Sequence, residues 1–138
     1  MIKQVDHIGI YVENLDKSLK KYEKMFGVKP KFIETIEAYD VKLAMIPVGE
    51  AMVELLAPLV PGRGRVGEAL TKRGEGLDHI AYRVDNIDSV LANMKKTGIK
   101  LVDEKPRPGA GGSRIAFISP EEVNGVSVEL VERKGEGH

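Results

Sequence analysis

Hydrophobic and polar positions alternate along two stretches of the chain that each contain a histidine. His7 and Gly9 fall on one face of the first stretch, and His79 and Ala81 fall on the matching face of the second. The opposite faces are apolar, and their members are Ile8, Ile10, Val12, Ile80, Tyr82 and Val84. This period of two predicts β-strands. Each histidine therefore points away from the side that packs on helices, next to a small residue that leaves room for a ligand.

The two stretches belong to an internal repeat. Val5–Asp16 lies over Leu77–Asp88 at an offset of 72 residues, with Asp, His, Ile, Val, Asn and Asp identical. Glu54 then matches Glu129 at an offset of 75, which requires a three-residue insertion in the second copy, most simply within residues 120–124. This period is far longer than that of solenoid repeats, so it indicates a duplicated half of a domain.

Each copy continues from its strand into an amphipathic helix and three further strands. Asn14 is predicted to cap the first helix and Gly27 to end it, and Asn86 and Gly98 have these roles in the second copy. The apolar helix positions are Leu15, Leu19, Tyr22, Phe26, Ile87, Val90, Leu91 and Met94. The further strands are predicted at about 29–35, 41–48, 51–57, 99–103, 114–119 and 126–132. Each half is therefore a predicted βαβββ module.

Two such modules side by side predict an α+β fold with a curved eight-stranded mixed sheet, whose concave face needs a ligand to fill it. At 138 residues the chain fits a single domain, residues 1–138. Module 1 spans about 1–58, the linker about 59–75 and module 2 about 76–132. The linker contains a predicted short helix around 66–72. The tail from Arg133 to His138 is expected to be a frayed terminus without a chemical role.

The composition limits the class of protein. Lys plus Arg and Asp plus Glu both number 21, so the formal net charge is zero. No basic stripe or block of like charge indicates a nucleic acid or a membrane as partner, which leaves a small ligand. The absence of cysteine excludes disulfides and thiolate chemistry. Because no apolar run approaches about 18 residues and no signal peptide is evident, we expect a cytoplasmic protein.

His7, Glu54, His79 and Glu129 form a candidate metal site. A carboxylate within an apolar strand must be solvated, paired or metal-bound. A lone histidine would be interpreted as a hydrogen-bonded core or surface residue, but the repetition of both residue types favours one shared metal ion. Two imidazoles and two carboxylates suit Zn, Ni, Co, Fe or Mn better than Mg or Ca.

One motif favours a different function. Residues 62–67, GRGRVG, match the GxGxxG spacing of dinucleotide-binding loops. No parallel crossover unit with a later acidic ribose ligand surrounds the motif, so we do not predict a nucleotide site. The sequence also lacks a Ser-His-Asp set and a phosphate loop that ends in GK[ST].

Three segments support a resemblance to a known family, namely 54–58 (ELLAP), 74–81 (GEGLDHIA) and 103–117 (DEKPRPGAGGSRIAF). With the paired modules, the chain from Val5 to Val131 resembles the vicinal-oxygen-chelate superfamily, also called the glyoxalase fold. Within it the chain is similar to the methylmalonyl-CoA epimerases, whose DExPRxGAGGxxIAF segment the third stretch matches.

The resemblance implies a metal-dependent epimerisation of methylmalonyl-CoA. The R and S forms would interconvert by removal and return of the α-proton through a metal-chelated enolate, with Glu129 first and Glu54 second as acid/base candidates. Co is favoured by the resemblance, although Co, Ni, Zn and Mn are not distinguished. Relatives also suggest a homodimer with an acyl-CoA substrate. The substrate-binding candidates are Ser113, Arg114, Arg107 and Lys72, with Arg73 as a weaker one.

The chain departs from the epimerase pattern at three places. Residues 119–121 are Ser-Pro-Glu where relatives often have His-Pro-Lys, Glu54 stands where some relatives carry Gln, and 42–44 lacks the glutamate base that some have. The second base is therefore open. A glyoxalase I-type lactoylglutathione lyase is the nearest rival, and a non-catalytic ligand-binding or resistance module is another. A dioxygenase is disfavoured, because its iron normally has two histidines and one carboxylate.

Overall fold

The computed structural model describes residues 2–134, which divide into two compact units. One unit comprises residues 7–78, and the other comprises 2–6 together with 79–134. The first strand, β1 (Ile2–Tyr11), crosses the division, since its first half belongs to one unit and its second half to the other. The part of the predicted frayed tail beyond residue 134, including His138, lies outside the described residues.

The first module has the predicted βαβββ order. After β1 come α1 (Leu15–Phe26), β2 (Phe32–Ile36), β3 (Val41–Val48) and β4 (Ala51–Pro58). The Asn14 side chain accepts a hydrogen bond from the Lys17 N–H at 3.0 Å, and Gly27 ends the helix at φ 68°. Both predicted caps are therefore confirmed, because Asn supplies the acceptor and Gly tolerates the left-handed backbone.

The core of this unit lies between α1 and one face of its strands. Val12, Leu15, Ala44, Ile46, Leu55 and Ala57 form this buried cluster. The β1–β4 pair is parallel, whereas β2–β3 and β3–β4 are antiparallel. Since side chains alternate along a strand, the opposite face carries His7 and Glu54.

The linker forms the predicted short helix, α2 (Gly64–Arg73). The glycines of the GxGxxG segment have structural reasons to be glycine. A Cβ at Gly67 would lie 2.8 Å from the backbone carbon of Gly62, and a Cβ at Gly64, where φ is 76°, would lie 2.8 Å from the Cβ of Asp40. The motif thus reflects a tight turn that packs a helix, as expected once a nucleotide site is set aside.

The second module repeats the order, with one shortened strand. Its elements are β5 (Gly76–Val84), α3 (Ile87–Lys96), β6 (Arg107–Pro108), β7 (Arg114–Ile118) and β8 (Val128–Glu132). The Asn86 side chain caps α3 through the Ser89 N–H at 3.1 Å, and Gly98, at φ 83°, follows the C-cap Thr97. The predicted insertion forms a 3-10 helix, Pro120–Val123, between β7 and β8.

The prediction of a strand at 99–103 is wrong. Leu101 makes an isolated bridge with Ile118, and the paired strand is instead the two-residue β6. The carboxylate of Asp103 accepts the backbone N–H of Phe117 at 2.8 Å, so a side chain replaces a backbone ladder bond. Pro106, which has no N–H, also prevents regular pairing before β6.

The hydrogen-bonded strand order is β2-β3-β4-β1-β5-β8-β7-β6. The predicted α+β fold with an eight-stranded mixed sheet is therefore confirmed, with β1–β4 and β5–β8 as its parallel pairs. No helix within residues 2–134 has the length and apolar character needed to cross a membrane.

A polar network fixes α2 within the first unit. Arg65 donates two hydrogen bonds to Asp78, at 3.0 and 2.9 Å, and the Tyr11 hydroxyl donates a third at 2.7 Å. The guanidinium groups of Arg65 and Arg73 lie 5.9 and 5.5 Å from the centre of the Tyr11 ring. Burial, and next the hydrogen bond to Asp78, raise the pKa of Tyr11 above its ordinary value. The helix is thus held by charge-assisted bonds as well as by packing.

We predict that Gly67→Ala destabilises the protein. The added methyl group would overlap backbone, at an overpacking cost of about 1–3 kcal/mol, while improved helix propensity returns about 1 kcal/mol. Urea denaturation should therefore show a lower free energy of unfolding. Glu68→Ala, an exposed change in the same helix, is the control. A more stable Gly67→Ala variant would contradict this packing argument.

We predict that Tyr11 makes folding sensitive to alkaline pH. A pKa raised in the folded state means that the stabilisation is complete below the unfolded value of about 10 and is lost as pH rises through the higher folded value. Urea unfolding at pH 8 and pH 11 should show a larger loss for the wild type than for Tyr11→Phe. Tyr22→Phe controls for loss of a phenol, and equal losses in the wild type and Tyr11→Phe would refute the assignment.

Candidate metal centre

His7 and Glu54 meet on neighbouring parallel strands of the first unit. Gly9 of β1 stands opposite Glu54 of β4, so Glu54 lies beside the position two residues after His7 on the same face. The Nε2 atom of His7 is 3.3 Å from Oε1 of Glu54, and both side chains are buried. Gly9, without a side chain, leaves the space into which the carboxylate reaches.

His79 and Glu129 have the same relation in the second unit. Ala81 of β5 stands opposite Glu129 of β8, and Nε2 of His79 is 3.4 Å from Oε1 of Glu129. These side chains are also buried. The ring of Phe117 packs edge-on against His79 with 5.6 Å between ring centres. The two His–Glu pairs therefore share strand register, separation and burial.

The geometry of each pair fits a shared metal ion. A charge-assisted N–H···O bond is about 2.7–2.9 Å long, which is shorter than either separation. Ligand atoms about 2.0–2.2 Å from one ion are about 2.8–3.6 Å apart at octahedral to tetrahedral angles, a range that includes both separations. Each glutamate is only 5% exposed, so its carboxylate must be compensated inside the protein. Imidazole nitrogen and carboxylate oxygen are both suitable donors for a divalent transition metal.

Arg107 is a predicted substrate-binding residue that an aromatic ring connects to the second His–Glu pair. Its guanidinium is 5.6 Å from the centre of the Phe117 ring, which in turn contacts His79. Asp103 accepts a hydrogen bond from Nε of Arg107 at 3.1 Å, and a third of the arginine side chain is exposed. This places a cation one aromatic ring away from the metal-ligand candidates of the second unit.

The other substrate-binding candidates have different surroundings. Ser113 is buried, and its hydroxyl donates to the carbonyl oxygen of Ala110 at 2.8 Å. Arg114 forms two hydrogen bonds with Asp88 at the start of α3, which lower the pKa of that carboxyl. Arg114 thus lies on the helix side of its strand, away from Glu129. Lys72 is exposed in the last turn of α2.

The aspartate before each histidine is a feature that sequence reasoning did not interpret. Asp6 is fully buried and accepts hydrogen bonds from Arg83 and Arg133. Asp78, at the matching position, accepts from Tyr11 and Arg65. The identity of these aspartates in both copies was the available signal, but their arginine partners come from distant positions that no local pattern identifies.

Arg133 also corrects the expectation of a frayed terminus. Its side chain is 9% exposed and bonds to Asp6 at 2.9 and 2.7 Å. The ordered structure therefore extends past β8.

Comparison with known proteins identifies similar chains that match nearly the whole of this one. An uncharacterized protein of Bacillus subtilis, YqjC, is 39% identical over 137 residues, which cover 99% of this chain and 97% of the relative. The human mitochondrial methylmalonyl-CoA epimerase is 28% identical over 127 residues, with 92% of this chain and 72% of the relative covered. A variant of Streptomyces coelicolor methylmalonyl-CoA epimerase, solved in complex with 2-nitronate-propionyl-CoA, superposes with a TM-score of 0.92.

The Streptomyces structure shares 33% sequence identity, and the match covers 98% of this chain and 97% of that one. A family model described as the Glyoxalase/Bleomycin resistance protein/Dioxygenase superfamily matches residues 6–117, most of the chain. This agrees with the resemblance seen in the sequence and with the paired βαβββ modules. The chain belongs to the glyoxalase, bleomycin resistance protein and dioxygenase superfamily.

Proposed function

We propose that this protein is a metal-dependent epimerase that interconverts the R and S forms of methylmalonyl-CoA. The observation that carries the proposal is the buried His–Glu pair that occurs twice with the same register and separation. The methylmalonyl-CoA epimerases among its relatives and structural neighbours support the choice of substrate. A cytoplasmic location and a homodimer remain predictions.

We assign one divalent ion to His7, Glu54, His79 and Glu129. The repeat supports a shared ion, because each module supplies one imidazole and one carboxylate in the same arrangement. Carboxylate ligands compensate the charge of a divalent cation, which suits a buried site. When bound, the ion supplies Lewis-acid stabilisation of the negative charge that develops on the thioester oxygen. Cobalt is favoured by the resemblance, although Zn, Ni and Mn suit the same donors.

The two glutamates are the acid/base pair of the proposed reaction. Epimerisation breaks the C–H bond between the thioester and the carboxylate and forms a new C–H bond on the opposite face. In one direction Glu129 accepts the departing proton and Glu54, in its protonated form, donates the new one, and in the reverse direction the roles exchange. After a turnover one carboxyl has gained a proton and the other has lost one, so exchange with water restores the starting state.

The substrate's anionic groups require cations or polar N–H groups. Arg107 has the strongest support, since its guanidinium lies over Phe117 and is partly exposed. A guanidinium binds a carboxylate or a phosphate through paired hydrogen bonds. Ser113 and the glycine-rich turn before it are proposed to contact the acyl-CoA. Lys72 and Arg114 are proposed as contacts for the more distant CoA phosphates.

One observation favours a second candidate function. Leu43 is buried on β3, on the same face as Glu54, in the segment where some epimerases carry a glutamate base. The acid/base pair must then be two metal-ligand glutamates, an arrangement that also resembles glyoxalase I. An assay with methylglyoxal and glutathione separates the two candidates: turnover there, with none for methylmalonyl-CoA, would establish the lyase. Metal-independent ligand binding without proton exchange would instead indicate a non-catalytic module.

We predict that His7→Ala or His79→Ala abolishes both metal binding and α-proton exchange of methylmalonyl-CoA in deuterated water. Each change removes one of two imidazole donors, so bound metal should fall from about one ion per chain to near zero. Elemental analysis and proton NMR measure the two effects. His138→Ala is the matched control, since the chain contains three histidines. Full exchange by a metal-free variant would overturn the mechanism.

We predict that Glu129→Gln retains the metal and the fold but loses epimerisation by about 10²–10⁴-fold, because an amide oxygen can be a ligand yet cannot accept the proton. Exchange should then persist for one epimer only, through Glu54. Incubating each epimer in deuterated water, followed by chiral analysis, detects label incorporation without inversion. Glu54→Gln should show the opposite epimer preference. Unchanged turnover of Glu129→Gln would remove this residue from the acid/base role.

A further inference from the structure

Arg133 joins the end of the second module to two other segments of its unit. Its Nε and Nη2 atoms donate to the two carboxylate oxygens of Asp6, at 2.9 and 2.7 Å, and Nη1 donates to the carbonyl oxygen of Ala110 at 3.1 Å. Asp6 is fully buried and also accepts from Nε of Arg83 at 2.8 Å. Each of the three guanidinium nitrogens of Arg133 thus donates a hydrogen bond, in a region with little access to water.

The carbonyl of Ala110 is the centre of the turn between β6 and β7. Besides Arg133, it accepts from the backbone N–H of Ser113 at 3.3 Å and from the Ser113 hydroxyl at 2.8 Å. Gly111 and Gly112 have φ values of 68° and 72°, and a Cβ at Gly109 would come within 2.6 Å of the Ile115 side chain. The backbone of the turn is therefore restricted by these contacts. Arg133, which does not belong to the β6–β7 hairpin, adds a further hydrogen bond to it.

We propose that Arg133 is a positioning residue that fixes the Ala110–Ser113 turn for acyl-CoA binding, an inference that rests on the proposed function. Its place in the chain supports it: Arg133 directly follows β8, which carries Glu129, and Val131 of that strand pairs with Ile115 of β7, just after the turn. The arginine therefore anchors the turn from the end of the strand that carries the proposed base. It acts through the turn and has no proposed contact with reacting atoms.

The guanidinium shape is essential to this role. Asp6 and the Ala110 carbonyl are contacted by different nitrogens of one planar fork. A lysine in place of Arg133 retains the positive charge beside Asp6, but its single ammonium cannot reproduce the same spread of donors. Arg133→Lys should therefore lose the hydrogen bond that positions the turn while it retains a positive charge beside the buried Asp6.

The test compares Arg133→Lys and Arg133→Gln with the wild type as full-length, metal-loaded proteins. Lys134→Gln is the matched control, since it removes a cation from the exposed neighbouring residue. We expect the KM for methylmalonyl-CoA to rise about tenfold in both variants, with kcat and metal affinity changed less than twofold. Amide hydrogen exchange should accelerate in residues 109–113, and millimolar guanidinium should lower the raised KM of Arg133→Gln toward the wild-type value.

Three outcomes would overturn the proposal. They are an unchanged KM in Arg133→Lys, a loss of metal affinity as large as the loss of substrate affinity, and wild-type exchange in residues 109–113 of both variants.

If the wild type itself does not epimerise methylmalonyl-CoA, the proposed function fails. Calorimetric binding of CoA thioesters and the exchange measurement then still decide whether Arg133 positions the turn. A folded Arg133→Lys keeps the test valid where Arg133→Gln does not fold.

Discussion

Two carboxylates buried in apolar strands are the constraint on which the rest of the structure depends. Glu54 stands opposite Met45 and Glu129 opposite Phe117, on strands whose other side chains form the cores. An isolated carboxylate there would cost several kcal/mol or more, so each needs a compensating partner in a fixed position. The parallel pairs β1–β4 and β5–β8 provide it, because each brings a histidine alongside. The register of those strands is therefore a chemical requirement as well as a packing one.

Duplication explains why that requirement is met twice, and divergence explains what differs. Tyr11 and Arg83 occupy matching positions in the two copies, and each donates to the buried aspartate that precedes a histidine. One donor is a phenol and the other a guanidinium, yet each bonds to the carboxylate at the matching position of the other copy, Asp78 for Tyr11 and Asp6 for Arg83. The second donor, Arg65 for Asp78 and Arg133 for Asp6, comes from a segment outside the repeat. The aspartate before the histidine is thus the same in both copies, whereas the residues that donate hydrogen bonds to it differ.

The sequence predicted the parts that depend on local periodicity. Alternation in β1 and β5 identified the faces of His7 and His79, and Asn14 and Asn86 identified the starts of two helices. It failed where one side chain replaced backbone pairing, as Asp103 does before β6. It also could not identify Arg133, because the partners of that residue lie 127 and 23 positions away. Ion pairs between residues far apart in the sequence do not affect the hydrophobic periodicity. A buried polar network of this kind is therefore seen only in the three-dimensional structure.

The connections between the second and third strands of each module show how two similar halves acquire different roles. In the first module Asp40, after the turn Glu37–Tyr39, accepts a hydrogen bond from Arg63 at 2.8 Å and its carbonyl accepts from the Leu59 N–H. That connection is used to dock the linker.

In the second module the equivalent connection is the glycine-rich turn, and Arg133, which follows β8, reaches it. In both modules, an arginine that follows the last strand returns to this turn. The connection in the first module holds the linker in place before α2. The glycine-rich turn of the second module has no such role, so it can be specialised for a substrate. This agrees with the sequence, in which the segment that most resembles the epimerases lies at residues 103–117, and its part from Asp103 to Arg114 is absent from the first half.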